Sequence, residues 1–396
     1  MPRSLFAIQD SIGPELQKLL HSLGQTYLVT ASQTPPSQED NASPLPASIS
    51  LTIDDLAFLD KHGLLMLCSE APLNKYLPAE HKQQHMAAVS LGIAATQTQT
   101  SSLEAVLNTL AQENLTPAII FKGSALGPIE YQQSWHRPKS DHDLLIPVQA
   151  KAAYHDSLIE QGFTHIVSIS GRYVSYQASY VKQTSGAAHI WIDLHWKISN
   201  RQMLASLFDY ADMINSTRPL PLSSDPEKLN ISALTPSRAD CVVLAAQHVI
   251  GHHSVDTRLL WFFDLLVIIC NCSNDELEQL VARCTELRVA GMVLAAIDYA
   301  ESTFIPVLPD DIRQKLLELS AGPEATQILV TQPHTRARLI WWDLKSIDTW
   351  GGKFRFILEN LFPDRAYMGA RFGSKWLIIS HLKRILGFPI TPNQLK

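Results

Sequence analysis

RPKSDHDLLIPV, residues 137–148, reads as a charged, proline-containing turn that runs into a short apolar strand, DHDLLIPV. In extended backbone the side chains at i and i+2 leave on the same face. Asp141 and Asp143 therefore point together, while His142 points to the packed side and needs a hydrogen-bond partner there. Two carboxylates in one small volume repel each other unless a cation neutralises them. Hard oxygen donors at this spacing suit Mg²⁺ or Mn²⁺.

The sequence on either side continues the pattern. Upstream, residues 117–121 (PAIIF) form a second apolar strand, Lys122-Gly123-Ser124 a turn, and residues 125–131 the start of a helix. Downstream, residues 149–162 have helix-forming composition, with Gly162 placed as a C-terminal cap. Residues 172–182 are rich in Tyr and Val, 184–187 supply turn residues, and 189–198 alternates, so the two runs form an antiparallel hairpin. Within the second run, alternation puts Asp193, His195 and Lys197 on one face and leaves the other apolar. Paired beside the Asp141 strand, Asp193 completes a three-carboxylate cluster able to hold two metals roughly 4 Å apart.

The resulting block, residues 116–228, is α/β (α+β) with a mixed sheet flanked by helices. Residues 1–50 comprise a short helix and a Ser-, Pro- and Gln-rich linker at 31–49, and residues 51–115 a helical lead-in with Leu103, Val106, Leu107 and Leu110 at helical spacing. Residues 229–396 read as an all-helical domain that opens at Thr235-Pro236, an N-cap followed by proline.

Composition narrows the function. The 396 residues are 46% hydrophobic and 18% charged with mean hydropathy near zero, the profile of a soluble globular protein. A net charge of -6 gives no chain-wide basic surface to collect a polyanion, which disfavours a long nucleic-acid substrate. Five cysteines without a CxxC pair fit a reducing compartment, and the N-terminus lacks a signal-peptide pattern, so the expected location is the cytoplasm. The most apolar run, residues 259–272, is broken by Asp264 and is too short to span a bilayer; it reads as a buried helix, and no transmembrane segment is expected.

The turn at Lys122-Gly123-Ser124, between a strand and a helix start, offers backbone N–H groups and a helix dipole to phosphate oxygens. Lys122, Arg137 and Lys139 add positive charge for a triphosphate, and His195 and Lys197 share the face of Asp193 as further nucleotide-binding candidates. Each element alone has a plain reading: a solvated strand end, an ordinary turn, an edge-strand acid. Their order within 75 residues is the stronger signal.

That order resembles the nucleotidyltransferase superfamily, whose pattern is Gly-Ser or Gly-Gly, then Asp-x-Asp, then a third Asp. FKGSAL, RPKSDHDLLI and IDLHWKI resemble the KGxAL, RPxxDxDLLV and DLHW signatures of the uncharacterised bacterial nucleotidyltransferase family, and the likeness covers most of residues 50–390. It implies a nucleotidyltransferase-like fold. It also implies a two-metal transfer of a nucleoside monophosphate from a nucleoside triphosphate to an acceptor, with Asp141, Asp143 and Asp193 as catalytic and metal-binding residues and pyrophosphate as the leaving group. The acceptor, a small molecule, sugar, peptide or protein, is left open, as is the oligomeric state. The chain departs from the pattern in the sixteen residues between Ser124 and Asp141 and in His142, which stands where an apolar residue is usual. The alternative reading is a non-catalytic nucleotide-binding or regulatory protein on the same fold.

In the helical part, His248 and His252 share a helix face at zinc-binding spacing and His253 follows, but no HExxH or HD signature accompanies them. They are expected to border the cleft. Residues 371–388 are basic and amphipathic, which suits a helix docked on the core.

Overall fold

The computed structural model describes residues 12–29, 51–69, 79–169, 171–184, 189–222, 233–252, 258–332 and 334–372. The linker at 31–49 and the stretch at 373–388 lie outside them. The first helices are α1 (Pro14–Gly24), α2 (Ile53–Lys61) and α3 (Ala79–Gln112). Proline begins α1, where its missing N–H costs nothing, and Thr52 closes a capping box with Asp55 at the start of α2.

The α/β block follows as β1 (Ile119–Phe121), α4 (Gly123–Glu130), β2 (His142–Leu145), α5 (Lys151–Glu160), β3 (Thr164–Ile166), β4 (Gln177–Gln183) and β5 (His189–His195). Short helices α6 (Gln202–Ala205) and α7 (Tyr210–Ile214) lead to β6 (Arg218–Pro219) and β7 (Leu234–Thr235). The sheet has the order β3-β4-β5-β2-β1-β7-β6. The β2–β5 and β1–β7 pairs are parallel and the rest antiparallel, so the sheet is mixed, as the strand and turn pattern implied. Gly162, at φ 84, ends α5 in the left-handed region that glycine enters without steric cost.

The sheet divides two apolar layers. Ile120, Leu144, Ile192 and Leu194 face Leu103, Val106, Leu107 and Leu110 of α3 and Leu158 of α5. Ile119, Phe121 and Leu145, which alternate with them, join a larger core on the opposite face. That core is built by α8 (Arg238–Gln247), α9 (Leu259–Cys270), α10 (Asn274–Leu287), α11 (Ala290–Thr303) and α12 (Asp310–Ser320), with α1 packed among them. Phe262 and Phe263 of α9 are fully buried, and each such side chain contributes roughly 1.5–3 kcal/mol by leaving water. The last described helices are α13 (Gln327–Thr331), α14 (Arg336–Lys345), α15 (Trp350–Leu361) and α16 (Arg365–Phe372). Among the described residues, no helix is long and apolar enough to cross a membrane.

Two local expectations are corrected. Gly123 and Ser124 are the first turn of α4 rather than a turn before it. Thr235 ends β7, where it pairs with Arg218 of β6, and the N-cap of α8 is Ser237, whose hydroxyl accepts from the Asp240 amide.

Candidate active site

The parallel register of β2 and β5 sets Asp143 directly beside Asp193, on the face opposite Leu144, Ile192 and Leu194. Asp143, Asp193 and His195 each bring a ligand atom within 4.8 Å of the others. Asp141 lies one residue before β2 and outside that group. It lines the same cavity, about 1260 Å³ in volume, as do Lys122, Gly123, Arg137 and Lys139.

Asp143 is buried, and Lys122 Nζ and His195 Nε2 meet its Oδ1 at 2.6 and 2.9 Å. Burial opposes its charge, but Lys122 and the His195 hydrogen bond hold its carboxyl well below the usual range. Burial likewise opposes the Lys122 ammonium, and the carboxylates of Asp143, Asp141 and Asp193 outweigh it and raise its pKa. Asp141 is pushed up by burial and then by the charge of Asp143. One ammonium thus feels all three carboxylates. Lys122 holds φ 56, a conformation a non-glycine residue enters at a cost of about 1–3 kcal/mol, and strain of this kind clusters at functional sites.

Lys122 is also the N-cap of α4. Ala125 and Leu126 donate to its carbonyl, so the N–H groups of Gly123 and Ser124 precede the first intrahelical bonds. The Ser124 hydroxyl, by contrast, is turned away from the cavity. It donates to the Asp141 carbonyl at 3.2 Å and lies 2.7 Å from His142 Nδ1. This pair supplies the partner that His142 needs behind the strand, and it ties the start of α4 to β2.

Of three other residues expected at phosphate, Arg137 is committed to a carboxylate, Lys197 lies off the cavity and Lys139 remains at it. The Arg137 guanidinium is buried and forks onto both oxygens of Asp264 in α9. Lys197 stands beyond the end of β5, its ammonium 4.5 Å above the Tyr176 ring, and is not among the cavity-lining residues. The alternation at 189–198 breaks at His195, where the chain leaves the sheet. Lys139 remains at the cavity, 3.3 Å from the Thr100 hydroxyl, with burial and then Arg137 pulling its pKa down to about 8. His248 lines the cavity edge-on to Trp261, ring centroids 4.6 Å apart. His253 and the His252 side chain lie outside the described residues, so the paired-histidine reading has no described geometry.

A family model described as uncharacterised nucleotidyltransferase matches residues 55–304. The chain belongs to that family. The match runs from α2 through α11, so it takes in the sheet, the carboxylates and the first helices packed on them. No curated protein matches the chain. Membership supports a transferase of nucleotidyl type.

The donor set of Asp143, Asp193 and His195 could hold a divalent ion, since two carboxylates and an imidazole converge. The sequence reading had placed His195 with the phosphate groups. Two residues beyond Asp193 on the same strand face, it is equally a neighbour of Asp143 once β2 pairs with β5. Asp264 was legible only as an interruption: a single acid in LLWFFDLLVIIC must find a partner when the helix is buried, and that partner is Arg137.

Proposed function

We propose that the chain transfers a nucleoside monophosphate from a nucleoside triphosphate to an acceptor hydroxyl or phosphate, releasing pyrophosphate at a centre loaded with Mg²⁺ or Mn²⁺. The observation that carries this reading is the side-by-side register of Asp143 and Asp193, with Asp141 on the same cavity.

Asp143 and Asp193, with His195, would hold the metal, and Asp141 would join them from the cavity wall. The bound ion supplies Lewis-acid neutralisation of triphosphate charge. Lys122 and the amides of Gly123 and Ser124 hold phosphate oxygens at the positive end of α4, and Lys139 adds charge from the adjoining turn. The acceptor oxygen forms its bond to the α-phosphorus as the bond to the pyrophosphate oxygen breaks, and Asp193 either helps to hold a second metal or takes the proton that an acceptor hydroxyl loses. Positioning and charge placement supply the rate, as in phosphoryl-type transfers generally.

Purified protein given Mg²⁺, labelled nucleoside triphosphates and an acceptor panel is expected to release pyrophosphate, and Asp143→Asn to abolish release. Undiminished turnover in that variant would sink the mechanism. Tight triphosphate binding with no product from any acceptor would instead favour the nucleotide-binding, non-catalytic alternative.

A further inference from the structure

We infer that Asp264, Arg137 and Tyr131 form a positioning clamp that sets the distance between the phosphate-binding end of α4 and the carboxylates of β2, so that Arg137 acts through Asp264 rather than on phosphate. The inference rests on the nucleotidyl-transfer reading of the cavity.

Asp264 grips α4 at both ends. Tyr131, the residue after the helix, donates its hydroxyl to Asp264 Oδ1 at 2.6 Å. At the other end, Arg137 donates Nε to Oδ1 at 2.7 Å and Nη2 to Oδ2 at 2.8 Å. Its Nη1 donates to the Pro138 carbonyl at 2.6 Å and sits 2.9 Å from where a Cβ on Gly123 would be. The guanidinium is thus pressed against the first residue of α4 while it fixes the turn that runs through Lys139 and Ser140 to Asp141. One carboxylate on α9 sets the placement of the helix start, the helix end and the strand entry together.

Stability does not require ions here, since apolar side chains of similar size replace buried ion pairs without loss in other proteins. Apolar packing lacks the fixed angles that a two-pronged guanidinium–carboxylate contact imposes. At a site where displacement of about 1 Å costs on the order of a hundredfold in rate, that angular control is what the cluster contributes.

Asp264→Asn tests the assignment, because it keeps the shape and releases the Arg137 charge toward the cavity. Binding of α,β-methylene-ATP with Mn²⁺ is measured by calorimetry beside a thermal melt. The clamp requires nucleotide Kd to rise by about tenfold or more, the equivalent of about one lost hydrogen bond to a charged group. An unchanged or lower Kd, as expected if Arg137 contacts phosphate itself, overturns it. Should Asp264→Asn fail to fold, Tyr131→Phe removes one arm of the clamp and leaves Arg137 on Asp264. Its Kd is again expected to rise at a near wild-type melting temperature, and wild-type affinity overturns the clamp. Wild-type protein that binds no nucleotide would bring down the reading of the cavity and the clamp with it, whereas loss confined to the variants would leave both standing.

Discussion

The carboxylates of this chain are legible one at a time and become a site only as a group. Alternation in DHD points Asp141 and Asp143 the same way, but only Asp143 stands in β2, and Asp193 reaches it through a parallel register from 50 positions further along the chain. His142 shows the same limit. Its inward direction follows from alternation, yet its partner, Ser124, is expected from the sequence to bind phosphate; the hydroxyl faces back because α4 begins two residues earlier than the turn reading places it. Replacing His142 with Phe leaves a buried hydroxyl short of one partner, a loss of about 1–3 kcal/mol. Because the two side chains share one contact, the Ser124→Ala, His142→Phe double variant is expected to cost less than the sum of the singles in urea denaturation. Strict additivity would show that they do not interact in solution.

Among elements, the strongly periodic helices α3, α5 and α9 are close to where the sequence places them, whereas the hairpin is shorter than its pattern: β4 starts at Gln177 rather than 172 and β5 ends at His195 rather than 198. Boundaries set by capping depend on a hydroxyl's neighbours. Ser237, rather than Thr235, caps α8 because Thr235 is held in extended pairing with Arg218 of β6, while the Ser237 hydroxyl meets the Asp240 amide. At α10 the capping box is complete, with the Ser273 side chain accepting from the Glu276 amide and the Glu276 carboxylate accepting from the Ser273 amide at 2.8 Å. Glu276 also receives Arg238 of α8, so this cap fastens two helices of the larger core. Ser273→Ala is expected to destabilise the protein by about 1 kcal/mol in chemical denaturation. A change within error would mean that water replaces the cap without loss.

In the whole molecule, burial of neutral histidines couples stability to pH. Burial pushes His142 down to about 3, with Lys139 adding to the effect. Burial also takes His136 to about 4 and, with Lys61 and Arg258, His62 to about 4. Their ordinary value is 6.5, so between 6.5 and these native values the unfolded chain binds protons that the folded chain refuses. Stability from these groups is therefore complete above 6.5 and falls as the solution is acidified, at about 1.4 kcal/mol per pH unit for one such group. Denaturation midpoints at pH 7.5 and 5.5 are expected to show lower stability in acid, with a smaller drop in His142→Phe; equal midpoints would refute it. The same long-range packing separates the two layers of information in this chain. Element types, the mixed sheet and the acids of β2 follow from local periodicity and turn chemistry, which act over a few residues. The neighbour of Asp143, the commitment of Arg137 to Asp264 and the departure of Lys197 from the cavity depend on contacts between distant segments. Those contacts arise from strand register and from the need of each buried charge for a partner, and neither is encoded in the spacing of nearby residues.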